Sequence, residues 1–197
     1  FIFSGIAPET EGNRARFEND PRLAGKTIDD VTTYTNGEDA TIYGLELNLV
    51  QNFTNLPGAW SGLGVYANAT FQRSKADTGI EGVGKIDFFY APESFYTAAL
   101  TYQHYGIEGL IAYSWRDSQN LRFSSYDTLI VEEPYGSLDL QLSYQLTEKA
   151  TLSMTAVDML NDGTDPIIDE RYGAGSSYLE DATYTGRTVT TGLHVKF

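Results

Sequence analysis

The chain has 197 residues, a formal net charge of -14 and no cysteine. The missing thiols exclude disulfides, cysteine nucleophiles and thiolate metal sites together, and the acidic balance argues against a nucleic-acid partner, which needs phosphate-neutralising Lys and Arg. Aromatics make up 13%, with 14 Tyr, 10 Phe and 19 Gly; no run nears the roughly 18 apolar residues of a transmembrane helix, and an all-β protein is expected.

In chain order, the opening FIFSGI (1–6) reads as the tail of a strand whose beginning lies upstream, before Pro8 and a long polar link over 7–39. The start carries no charged leader or cleavage site, so an exported protein beginning here is expected to be a mature form or a piece of a longer chain. Tyr43, Leu45, Leu47 and Leu49 then alternate with Gly44, Glu46 and Asn48. Leu63, Val65, Ala67, Ala69 and Phe71 alternate with Gly64, Tyr66, Asn68, Thr70 and Gln72. Tyr96, Ala98, Leu100 and Tyr102 oppose Thr97, Ala99, Thr101 and Gln103. Ile107, Ile111, Tyr113 and Trp115 oppose Glu108, Ser114 and Arg116, with Leu110 as an exception. Leu138, Leu140, Leu142 and Tyr144 oppose Asp139, Gln141, Ser143 and Gln145. Leu152, Met154 and Ala156 begin a further run whose parity slips near Val157, which predicts a bulge. Val189, Thr191, Leu193, Val195 and Phe197 close the chain against Thr188, Thr190, His194 and Lys196. Successive strand side chains point to opposite faces, so each run is a strand with one apolar and one polar face. With the opening stub the count is about eight.

The connections alternate in length. Short turns are predicted near 55–59, 104–106 and 147–149, and long links over about 7–39, 75–86, 117–134 and 162–185. Short turns at one end and long loops at the other are the topology of an up-and-down outer-membrane barrel. With the short turns periplasmic, Phe53, Trp60, Tyr102, Tyr105, Tyr144 and Phe197 fall at that end, and Tyr43, Phe71, Phe88, Tyr90, Trp115 and Tyr135 at the outer end. Of these, Tyr43, Phe53, Trp60, Phe71, Tyr102, Trp115 and Tyr144 are the candidates for two membrane-interface girdles. The alternative is that aromatics simply favour strands, which does not predict clustering at both ends.

The closing GRTVTTGLHVKF (186–197), together with ATIYGLELNLVQNF (40–53), LPGAWSGLGVYANATF (56–71), YAPESFYTAALTYQHYGIEGLIAYSWRD (90–117) and YGSLDLQLSYQLTEKATLSMTAVDMLND (135–162), resembles the carboxy-terminal third of a TonB-dependent outer-membrane receptor. Each motif alone is low in information; the order, spacing and terminal Phe are jointly specific. The resemblance implies an antiparallel up-and-down transmembrane β-barrel of 22 strands with an amino-terminal plug, in a Gram-negative outer membrane. It implies that residues 1–197 supply about the last eight strands of one barrel domain, with plug and TonB-contact segment absent from this sequence. Leu193, Val195 and Phe197 then match the signal read by the barrel-assembly machinery. Outer-membrane lipid, the assembly machinery, the TonB complex and a small-molecule ligand are the implied partners. Two other readings stay open: a self-contained eight-stranded barrel acting as anchor, adhesin or small pore, and a soluble all-β binding module.

Catalytic constellations are scarce, and no enzyme activity, cofactor or nucleic acid is expected. His104 reads as a turn residue and His194 as lumen-facing; nothing resembles a GxSxG elbow. GIEGVGK (79–85) has Ile86 where a phosphate-binding loop needs Ser or Thr, and the match is set aside. The long loops are acidic, and the pair Asp162 and Asp165 has ligands suited to calcium without a complete site; no specific metal is expected. For ligand contact the loop candidates are Arg122 and Arg171, which suit an anion, and Tyr172, Tyr178 and Tyr184, which suit a sugar ring or an aromatic chelator. Ordinary loop packing is the competing reading for all five.

Overall fold

The computed structural model describes residues 2–7, 21–23, 31–36, 39–78, 84–125, 128–160, 167–172 and 176–197. Its main element is an antiparallel meander. The strands are β3 (Ala40–Asn52), β4 (Leu63–Asp77), β6 (Ser94–His104), β7 (Ile107–Arg116), β10 (Tyr135–Thr147), β11 (Ala150–Val157) and β14 (Thr188–Val195), hydrogen-bonded in sequence order. Five are of a length to cross a bilayer, which takes about 9–11 residues. A two-residue strand, β5 (Lys85–Ile86), pairs with the outer end of β4. No helix among the described residues is long and apolar enough to cross a membrane.

The alternation of connections is as expected, with one adjustment. Tyr105 and Gly106 join β6 to β7, and Glu148 and Lys149 join β10 to β11, as tight hairpins. The link from β3 to β4 is longer and contains a 3-10 turn over Gly58–Gly62. Tyr105 and Gly106 have φ of 51° and 75°, the paired left-handed conformation that suits a two-residue hairpin to the right-handed strand twist.

The long links contain strands of their own. β8 (Gln119–Ser125) and β9 (Thr128–Glu132) form a hairpin inside the β7–β10 link; β12 (Ile167–Tyr172) and β13 (Ser176–Ala182) form one inside the β11–β14 link. β9 pairs with β12, so the two loops merge into one four-stranded sheet, β13-β12-β9-β8. β1 (Ile2–Ala7) is likewise not an eighth member of the meander. It pairs with β2 (Val31–Asn36) in a sheet of its own. Pairing between loops far apart in sequence leaves no local periodicity to read, which is why these strands escaped the alternation argument.

The meander ends on β3 at one side and β14 at the other. Among the described residues β3 pairs with β4 and β14 with β11, so a ring closed from these strands alone is not formed. The bulge expected near Val157 is present. Ala156 opposes Leu140, but the Met159 N–H donates to the Leu138 carbonyl, so one extra residue is inserted in between. That residue is Asp158, at φ 54°, and its N–H is accepted by the Asp139 carboxylate at 3.0 Å. Asp139 also accepts the Ser137 hydroxyl at 2.8 Å.

Candidate functional site, a two-faced strand wall

Directly opposed residues of an antiparallel pair share a face, so the register joins the strands into rows. One row runs Val65, Leu100, Ile111, Leu140, Ala156, Val189. The row outward of it runs Leu49, Ala67, Ala98, Tyr113, Leu138. The row inward of it runs Leu63, Tyr102, Gly109, Leu142, Met154, Thr191. Every apolar parity read from the separate strands therefore falls on one continuous face. Much of it is open: Leu47 is 52% exposed, Leu100 57%, Val189 60% and Leu193 62%.

Aromatic side chains sit at both margins of this face. Tyr96 stacks on Trp115 with centroids 5.3 Å apart, and Tyr113 adjoins Tyr96 at 6.2 Å. The Tyr113 hydroxyl lies 2.8 Å from where a Cβ on Gly136 would be, so the ring uses the gap that glycine leaves in the neighbouring strand. Tyr43 opposes Arg73 and Phe71 opposes Leu45 at the same end. At the hairpin end, Tyr144 opposes Ile107 and Leu152, and Trp60 is exposed on the turn between β3 and β4. From Gly136, in the Trp115 row, to Tyr144 the strand rises about 26 Å at ~3.3 Å per residue. At a barrel tilt of about 35–45° this gives roughly 20 Å, close to the ~25 Å apolar band of an outer-membrane wall. Tyr135, expected at the outer margin, faces the other way: it opposes Arg116 on the polar side.

The other side carries most of the hydrogen-bonding residues of the long strands, with Val50, Ala99 and Ala112 interspersed. Asn48, Asn68, Thr97, Ser114 and Ser137 form one row. Within it the Asn68 Oδ1 accepts the Thr97 N–H at 3.2 Å, and the Thr97 and Ser114 hydroxyls lie 3.0 Å apart. Asn68 Nδ2 donates to the Tyr66 hydroxyl at 2.6 Å. The row nearer the loops runs Glu46, Thr70, Phe95, Arg116, Tyr135. Arg116 pairs with Glu132 at 3.1 Å, and Gln119 donates to the same carboxylate. A cavity of about 340 Å³ opens at this edge of the wall, lined by Phe95, Thr97, Ser114, Arg116, Gln119 and Tyr135 and also by Pro92, Tyr96 and Trp115.

Buried apolar side chains among the described residues are few: Ala76, Ala99, Ile130, Val131 and Ala156. A soluble domain of this length would bury a large core. Ile130 and Val131 lie in the loop sheet, and Ala76 at the outer end of β4, so what core there is gathers where the loops fold together.

A family model described as TonB dependent receptor-like, beta-barrel matches residues 6–158. The chain belongs to this family. No curated protein and no solved structure matches it. The described strands are thus a wall of a TonB-dependent receptor-like barrel, a transporter family of the Gram-negative outer membrane. The apolar face is the side for lipid and the polar face the side for the lumen.

Of the loop candidates in this receptor barrel, Arg122 is engaged: its guanidinium bonds the Glu180 carboxylate at 2.7 Å, tying β8 to β13 across the loop sheet. Tyr178 falls in the same cross-strand row as Arg122, through Ile130 and Glu170. Tyr184 follows β13 and is 73% exposed. Arg171 and Tyr172 are in β12, but their side chains lie outside the described residues, as do Asp162 and Asp165. No group of three or more acidic or histidine side chains is placed to hold a metal among the described residues. Leu193 and Val195 are on the apolar face opposite Leu152 and Ala150, with Phe197 exposed beyond them. His104 ends β6 against Tyr105, and His194 opposes Thr151 on the polar face. Sequence reasoning missed the Phe95–Arg116–Tyr135 row. Its signal was an aromatic, Phe95, on the polar parity of an otherwise regular strand.

Proposed function

We propose that this protein takes part in TonB-dependent import of a scarce small ligand across the outer membrane. Residues 1–197 contribute the carboxy-terminal strands of a single 22-stranded barrel domain. The observation that carries the reading is the wall itself: one apolar face continuous over seven strands, backed by a polar face with its own hydrogen bonds. The apolar face meets lipid tails. Tyr43, Phe71 and Trp115 at the outer margin, and Phe53, Trp60, Tyr102 and Tyr144 at the inner one, set its depth in the bilayer, because amphipathic rings favour the boundary with headgroups. Leu193, Val195 and Phe197 present the terminal strand to the assembly machinery. Arg122, Arg171, Tyr172, Tyr178 and Tyr184 meet the ligand first at the loops, and the TonB complex supplies energy through a plug.

Cells with and without the gene, and with and without TonB, provide the test. A labelled iron chelate, cobalamin or oligosaccharide whose accumulation needs both gene and TonB supports the reading. Accumulation that needs the gene but persists without TonB overturns it.

A further inference from the structure

We infer that the lumen-side row Phe95–Arg116–Tyr135 is a binding subsite for an uncharged saccharide; the inference rests on the uptake reading and names its substrate class. Phe95 is 40% exposed, and the other exposed apolar side chains of this face, Ile42, Val50 and Val157, are aliphatic and lie in other rows. An apolar ring open to an aqueous lumen gains nothing from the water it meets, whereas the C–H face of a sugar ring offers it apolar area. Arg116 opposes Phe95 on one side and Tyr135 on the other. Opposed residues stand about 5 Å apart, so the two aromatics bracket roughly 10 Å of wall. Thr97, Ser114 and Gln119 are among the residues of the same cavity, and their hydroxyl and amide groups both donate and accept as sugar hydroxyls require. Its volume of about 340 Å³ lies within the ~300–1,000 Å³ range of small-molecule sites.

Charge separates the ligand classes. Arg116 is the one Lys or Arg on the polar face of the seven long strands among the described residues, and Glu132 neutralises it at 3.1 Å. Glu46, Glu108 and Asp139 share that face. An anionic iron chelate approaching this wall meets like charge and a cation already engaged. A neutral polyol meets neither obstacle, and the held Arg116–Glu132 pair offers it fixed donors and acceptors.

The natural protein, extracted in detergent, would be titrated with malto-, cello- and xylo-oligosaccharides and with ferric citrate by calorimetry. Saturable binding of a neutral oligosaccharide is expected, weakened about tenfold by F95A and by Y135A and retained by F95Y. Each variant must still migrate as a folded, heat-modifiable barrel; if F95A does not, Phe95→Leu replaces it, keeping bulk while removing the ring. Absence of oligosaccharide binding, or binding untouched by loss of the ring, overturns the subsite. TonB-dependent import of ferric citrate without oligosaccharide binding overturns the subsite alone. Oligosaccharide binding with TonB-independent import leaves the subsite standing and overturns the uptake reading.

Discussion

Leu140 and Gln141 are neighbours in β10 that face opposite solvents. Leu140 lies in the central apolar row between Ile111 and Ala156, and Gln141 opposes Leu110 and Thr155 on the polar side. A charge on the lipid face near the midplane costs on the order of 2–4 kcal/mol, while the lumen is wet. Leu140→Arg should therefore sharply lower the folded fraction in outer-membrane extracts and Gln141→Arg should leave it near normal; equal losses would refute the assigned faces. Asp139 has a different task. Its carboxylate takes the N–H that the Asp158 bulge withdraws from the ladder. Asp139→Ala leaves that donor without this acceptor and should destabilise the barrel by about 1–3 kcal/mol. Asp139→Asn keeps an acceptor oxygen and should lose less, as read from urea midpoints in lipid vesicles.

At the scale of elements, the tight hairpins set the register of the faces. Gly106 sits at φ 75°, where a side chain is strained whatever space surrounds it. Gly106→Ala should cost about 1–2 kcal/mol, the left-handed penalty for a residue with a Cβ, and should appear as a lower unfolding midpoint. The loop hairpins are joined differently. Five opposed residue pairs of β9 and β12 hold them, and Arg122–Glu180 is an added, partly exposed tie. Exposed pairs contribute about 0–1 kcal/mol. Arg122→Ala should then leave amide-exchange protection over Thr128–Glu132 nearly unchanged. Full loss of protection there would show that the ion pair, rather than the ladder, unites the loops.

The whole molecule has its apolar and buried surfaces in unusual places. Its side chains with least contact to solvent are among the loops, while leucines along the long strands stand open. Contiguous apolar patches above about 300–600 Å² are rare on soluble monomers. Transfer from detergent to plain buffer should therefore aggregate the protein, and exchange into vesicles should keep it dispersed and folded, as sedimentation would show. A monodisperse species in plain buffer would return the soluble-module reading.

Strand period, face and membrane class were determined by the sequence alone, because a period of two is local: each of the seven long strands carries its own alternation, and register only had to align them. The bulge near Val157 was legible for the same reason. Tertiary structure decided what depends on pairing at a distance. Nothing in 119–132 or 167–182 announces that their hairpins share a ladder, since the partners are far apart in the chain. Nor do Phe95, Arg116 and Tyr135 form a motif in one dimension. They become a site because the register of β6, β7 and β10 puts three separate segments side by side.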